Sequence, residues 1–194
     1  MCIRDRQEDR KTALCLSDFL PSVDDNGRGY LGAFAVTAGI GTDVLVAKYE
    51  ADHDDYNAIM VKAIADRLAE AYAEKTHADA RKTFGVIEKL SIEEMHAEKY
   101  QGIRPAFGYP ACPDHSEKTK LFKLLDATNR TGMTLSEGFA MLPTASVSGI
   151  YFAHPDSSYF AVGRLGRDQI EDYATRKGID VTMAESLLAT NLSY

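Results

Sequence analysis

The tract RPAFGYPACPDH, residues 104–115, places three prolines among twelve residues. Each proline fixes its own φ, lacks an N–H and pushes the residue before it out of the α region. Residues 104–113 are therefore extended or turning, and their carbonyls find no partner in local structure. Between the prolines stand Arg104, Gly108, Tyr109, Cys112 and His115. Such a strip serves either as a plain surface loop or as a rigid rail for a ligand.

The chain has 194 residues, enough for one domain with a real core. It is 45% hydrophobic and 26% charged, a balance that favours a folded chain over a disordered one. Net charge is −7, with no basic run, which disfavours nucleic acid and anionic membrane surfaces as partners. No apolar stretch reaches the length of a transmembrane helix. The N-terminus MCIRDRQEDRK has no apolar core and does not read as a secretory signal. Three cysteines without framework spacing point to a reducing, cytoplasmic setting. Residues 1–10 share no pattern with the rest of the chain. They are set outside the fold as a non-native or disordered terminus, leaving 11–194 as the domain.

Periodicity and turn chemistry outline the elements. Leu14 to Leu20 is a short apolar run holding Asp18, and 21–29 is a turn cluster. Tyr30 to Thr37 reads as a strand. From Asp43 to Phe84 the pattern is helical. It is clearest from Tyr56, where Met60, Ile64, Leu68, Ala71 and Tyr72 form an apolar stripe that stops at Gly85. Ser91-Ile92-Glu93-Glu94 is a capping box for a helix running to about Tyr100. An amphipathic helix spans 117–128. Residues 137–141, 146–153 and 158–165 read as strands, the last two as a hairpin about His154-Pro155-Asp156-Ser157. Asp168 to Lys177 is a helix ending at Gly178. Thr182 to Glu185 is a second capping box opening a C-terminal helix. Helices and antiparallel strands are grouped rather than alternating, which predicts an α+β fold.

Several residue groups carry possible chemistry. Cys112 and His115 lack the two further ligands that zinc requires, and no P-loop or dinucleotide fingerprint is present. Glu70 lies roughly 120° from the apolar stripe on its helix, where a solvated face is the ordinary reading. Its neighbours Ala63 and Ala73 would nevertheless admit another element. A guanidinium at Arg104, beside a stiff backbone, suits bidentate capture of a carboxylate or phosphate. Asp18, in an apolar run, needs a donor or a cation. Tyr109 and Tyr159 are core aromatics or ligand walls. Together these parts suit a zwitterionic ligand that carries a nucleoside.

RPAFGYPACPDHSEK, ADRLAEAYAE, LSDF, SVSGIYFAHPDSSYFAVG and RDQIEDYATRKG together resemble the reactivation, S-adenosylmethionine-binding domain of cobalamin-dependent methionine synthase. The likeness runs from Leu14 to Tyr194, without the upstream part of that domain. It implies a bent antiparallel sheet with surrounding helices and a groove for S-adenosylmethionine. By resemblance, Arg104 would hold the ligand carboxylate, while Asp18 and Glu70 would engage its amino and ribose groups. Ala106, Gly108 and Ala111 would present backbone to the adenosyl part. Tyr159 and Phe160 would lie beside the ligand, and Tyr109 would border the approach to cobalamin. Phe107 stands where the family has a further proline, and the loop before the rail is shorter.

The implied activity is that of a methyltransferase module, with no acid–base residue and no metal ligand of its own. S-adenosylmethionine would methylate cob(II)alamin reductively to methylcobalamin. The cobalamin would be carried by a partner domain on the same or a separate chain, and a flavodoxin-type reductase would supply the electron. Methionine synthesis itself would need the other modules. The alternatives are a stand-alone S-adenosylmethionine sensor or store, and an inactive fragment.

Overall fold

The computed structural model describes residues 2–6, 12–22, 24 and 28–194. Its elements are β1 (Gly32–Thr37), α1 (Thr42–Ala51), α2 (Asp55–Thr83), α3 (Ile92–His96), α4 (Lys118–Leu125), α5 (Ala127–Thr131), β2 (Thr134–Leu135), β3 (Met141–Leu142), β4 (Ser146–Tyr151), α6 (Arg167–Lys177) and α7 (Val181–Leu187). β1 pairs antiparallel with β4, from Gly32 opposite Tyr151 to Thr37 opposite Ser146, and β2 pairs with β3. The α+β expectation holds. No helix among the described residues is long and apolar enough to cross a membrane.

Local chemistry explains the boundaries. The helical stretch from Asp43 to Phe84 is two helices, because the Asp54 carboxylate accepts the Asn57 N–H at 3.0 Å and starts α2 afresh. α2 stops where Gly85 takes φ +84°. Ser91 and Glu94 form the expected capping box, although α3 ends at His96. The second expected box is corrected: the cap is Asp180, whose carboxylate accepts the Met183 N–H at 2.9 Å. The helix expected over 117–128 breaks at Asp126, which has φ +51°. Of the turn cluster at 21–29, residues 23 and 25–27 lie outside the described residues.

Three larger expectations are overturned. First, the apolar stripe of α2 faces outward: Ile64, Leu68 and Tyr72 are more than half exposed. The buried face is Ala58, Ala65, Ala69 and Ala73, continuing to His77. Small side chains let α2 lie close against Phe34 and Tyr151 of the sheet. Second, residues 137–140 turn between β2 and β3 instead of forming a strand. Third, residues 158–164 form no hairpin with β4. The far edge of β4 is already taken by the rail: Ile150 donates to Pro105 O at 3.0 Å, and Phe152 exchanges hydrogen bonds with Ile103. The 158–164 segment instead runs beside the rail, with Val162 donating to Pro110 O at 2.9 Å. Residues 2–6, set aside from the sequence, pack onto the domain. Ile3 joins the main core, and the Arg6 side chain bonds Asp168.

Gly149 is what lets the rail lie flush on β4, since a Cβ there would sit 2.6 Å from Pro105 O. Gly149→Ala should therefore cost about 1–3 kcal/mol in denaturant unfolding. Gly138→Ala, with nothing within 4 Å of its Cβ position, should leave stability unchanged within about 1 kcal/mol.

Candidate functional site

The rail, β4 and α2 enclose a cavity of about 630 Å³. Arg104 to Phe107 and Tyr109 to Ala111 form one wall, and Ser146, Val147 and Ser148 of β4 form another. Tyr159 and Phe160 close it from the segment beside the rail, and Glu70 reaches it from α2. Of the residues expected in a site, Glu70, Arg104, Ala106, Tyr109, Ala111, Tyr159 and Phe160 thus come together, from sequence positions up to ninety apart.

Arg104 is held before any ligand arrives. Its Nη2 pairs with the Glu74 carboxylate, and its Nη1 donates to Tyr100 Oη at 2.7 Å and to His77 Nδ1 at 3.2 Å. Its backbone N–H donates to Tyr159 Oη at 3.1 Å. Nε has no partner among the described residues, so part of the guanidinium fork stays open. Burial works against the Arg104 charge, but Tyr100 and Glu74 outweigh it and raise its pKa.

His77 can accept from Arg104 only if it is neutral. It is 1% exposed and stacks on Tyr151 at 5.1 Å. Burial, with Arg81 and Arg104 nearby, lowers its pKa to about 3. Nδ1 is then the acceptor and Nε2 carries the proton. Tyr100, pushed up to about 12 mainly by burial, keeps its hydroxyl proton, and Arg81 lies 4.2 Å over its ring. Sequence reasoning missed Glu74, His77 and Tyr100. The i, i+4 spacing of Glu70 and Glu74, one turn apart on α2, was the signal available for Glu74.

Ser148 was also missed. It is 1% exposed, it lines the cavity, and its Oγ is buried without a hydrogen-bond partner. A buried hydroxyl left unmatched costs free energy, which a ligand with a polar group at that place would recover. Lys118 lines the same cavity. Its Nζ lies 2.7 Å from His115 Nδ1 and donates to Phe139 O at 3.2 Å. Burial lowers both the Lys118 and His115 pKa values.

Two expected residues are placed differently. Asp18 is not among the residues lining the cavity. Arg4 grips its carboxylate at 2.6 Å through both nitrogens, and the Cys15 N–H donates to it at 2.9 Å. The cation that a carboxylate in an apolar run requires is thus Arg4, which holds the Asp18 pKa below the usual range. Gly108 lies in a neighbouring groove of about 390 Å³, against His115. It has φ +93°, and a Cβ would lie 2.2 Å from His115 Cε1, so its close neighbour is that ring. Cys112 is buried, and burial pushes its thiol up to about 12, the profile of a packing thiol rather than a nucleophile.

The far end of the rail is clamped by buried charge. Lys177 Nζ donates to Asp114 at 2.6 Å, to Ser116 Oγ at 2.8 Å and also to Glu117; both acids are 1% exposed. Burial pushes both carboxyls up, but Lys177 and further hydrogen bonds more than offset it, so both sit low. Tyr173 adds its hydroxyl to Asp114.

The chain matches the family described as "Vitamin B12 dependent methionine synthase, activation domain" over residues 1–178. It is also similar to a crystal structure of the MetH reactivation domain bound to AdoHcy, at 54% identity and a TM-score of 0.96. That match covers 100% of this chain and 61% of the solved one, so the chain spans about three-fifths of that relative's length.

These charges generate two expected outcomes. Lys177→Met would leave the buried Asp114 carboxylate without a cation and Glu117 with Lys120 alone, and should lower unfolding free energy by about 3–5 kcal/mol in denaturant titration near neutral pH. His77 has its folded pKa depressed from 6.5 to about 3, so its contribution is present above 6.5 and is lost as pH falls through that window. Stability measured from pH 7 down to 4 should therefore fall less steeply in His77→Gln than in the parent.

Proposed function

Because the chain belongs to the vitamin B12-dependent methionine synthase activation-domain family, we propose that its main cavity binds S-adenosylmethionine and presents the methyl group to a cobalamin carried by another domain. The observation that carries this reading is Arg104. Its guanidinium is fixed beside the cavity by Glu74, Tyr100 and His77, with Nε still open to a carboxylate. The AdoHcy bound in the relative supports the same ligand class, since AdoHcy is what S-adenosylmethionine becomes on losing its methyl group.

Each part of the ligand has a counterpart. The amino-acid carboxylate goes to Arg104, and Glu70 accepts from the ammonium or the ribose hydroxyls. Backbone at Ala106 and Ala111 borders the adenosyl group, and Ser148 Oγ gains a partner. Tyr159 and Tyr109 offer ring faces to the sulfonium, an attraction of about 0.5–2 kcal/mol each where the geometry allows. The rail and Arg104 are braced beforehand, so little ordering entropy is lost on binding.

The transfer asks for placement rather than proton movement. Cobalamin, when bound alongside, supplies a reduced cobalt nucleophile, and an electron donor of the flavodoxin type keeps it reduced. The group leaving S-adenosylmethionine is a neutral thioether, so no side chain of this protein has to give or take a proton. Its residues hold the methyl group in line and exclude water, an effect worth up to about 7–11 kcal/mol. In this reading the chain is a methyltransferase module that reactivates methionine synthase and does not make methionine by itself.

Titration calorimetry with S-adenosylmethionine tests the site. Binding should weaken about tenfold or more in Arg104→Ala, and nearly as much in Arg104→Lys, which keeps the charge but loses the planar fork. Equal affinities would remove Arg104 from the site, and no heat from the folded parent would overturn the reading. Mixing the loaded protein with a cob(I)alamin-bearing domain should give the methylcobalamin absorbance spectrum. Binding without that change would leave only a sensor or store.

A further inference from the structure

A second arginine, Arg81, meets the same tyrosine that holds Arg104. It lies in the last turn of α2 and is 6% exposed. Its guanidinium carbon sits 4.2 Å over the ring of Tyr100, whose hydroxyl accepts from Arg104 Nη1. Its Nε donates to Glu88 Oε2 at 3.2 Å. Its Nη1 is buried and has no hydrogen-bond partner among the described residues. A charged donor left unmatched away from water is costly, more so than a neutral one. The acceptors nearest in the chain are already engaged. Glu88 Oε1 takes the Gln101 N–H at 2.7 Å. The carbonyls that end α2 are taken as well: Ala80 O by Phe84, Arg81 O by Val86 and Lys82 O by Gly85.

Arg81 lines a cavity of about 210 Å³ between the end of α2 and α3. A water takes about 30 Å³, so there is room for much more than the one water that Nη1 would need. Val86, Leu90 and Met95 give the cavity apolar walls. Lys82 also lines it, with a side chain 75% exposed, and so marks its mouth. The charges here do not balance. Arg81 and Lys82 face one lining carboxylate, Glu88. Asp79 lies 3.6 Å from Lys82 but is held more closely by Lys75. The site is therefore one negative charge short. Apolar walls disfavour a strongly hydrated dianion such as phosphate, because little replaces the water it gives up. An aliphatic monocarboxylate meets both demands, with one charge for Nη1 and a short tail for the walls.

We propose that this cavity binds a small aliphatic monocarboxylate, its carboxylate accepting from Arg81 Nη1 and facing Lys82, its tail lying against Val86, Leu90 and Met95. The site shares no lining residue with the cavity of Arg104. Tyr100 joins the two, since its ring carries Arg81 and its hydroxyl meets Arg104.

The test is to titrate butyrate into the folded protein and follow the Leu90 and Met95 methyl signals by NMR. Their shifts should saturate, with a dissociation constant of about 1 mM or lower. Butyramide has the same shape without the charge and should leave them near their starting positions. Chloride or phosphate at matched ionic strength should do the same. Lys82→Glu, at an exposed position, should keep the fold and weaken butyrate binding about tenfold or more. Arg81→Gln should abolish binding, and Lys82→Glu decides the matter if Arg81→Gln does not fold. Arg104→Ala should bind butyrate at these methyl groups as the parent does. That result separates this site from the main cavity, whose ligand assignment can fail without affecting it. No saturable shift would mean that water alone meets Nη1, and would overturn the proposal. So would an equal response to butyramide or phosphate, or unchanged affinity in Lys82→Glu.

Discussion

The contact on which the site depends is made by backbone. Ile103 and Pro105 bond the outer edge of β4, so a proline-rich segment with no helix or hairpin of its own becomes part of the sheet's plane. Carbonyls that prolines leave without local partners are satisfied across the chain by Ile150, Phe152 and Val162. Once that docking is made, Arg104 can only project toward α2, and the residues after it can only line the cavity. The alanine face of α2 matters for the same reason, because it brings Glu74 and His77 near enough to meet the guanidinium.

Electrostatics divides the two ends of the rail. At the Arg104 end, a half-buried cation is held by one carboxylate, one neutral imidazole and one phenol, and it keeps donor capacity in reserve. At the Asp114 end, Lys177 bridges two buried carboxylates, with Tyr173 and Ser116 adding donors to Asp114 and Lys120 adding one to Glu117. The first arrangement suits a place where a charged ligand comes and goes. The second suits an anchor. A buried charge network is weak evidence for net stability, but breaking it is costly, which makes it a firm fixture for a strip that must not move.

Much of the site is legible in residue chemistry and resemblance, and the failures have physical causes. Arg104 is legible because the proline that follows it forces extended backbone whatever surrounds it, whereas the alanines of the rail and Tyr159 are singled out by the resemblance. The need of Asp18 for a cation is legible too, but nothing local says that Arg4 supplies it. Glu74, His77, Tyr100 and Ser148 escape notice because each acquires its meaning from a partner 4 to 30 residues away or from an unoccupied side of the cavity. On α2, hydrophobicity misleads. The large apolar residues have the spacing of a core stripe, while close approach to the sheet requires the small ones.

Local rules are decisive wherever the governing energy is local. Proline sterics make the rail, Asp54 and the Ser91–Glu94 pair start helices, and Gly85 and Gly178 end them, all within a few residues of chain. Tertiary structure alone decides which face of α2 is buried, which segment takes the outer edge of β4, and which side chains surround Arg104. Those outcomes are competitions between distant segments for the same surface. The rail wins the strand edge from the 158–164 segment because Gly149 lets it approach and Phe152 exchanges two hydrogen bonds with Ile103 just before it, and neither fact exists until the chain has folded.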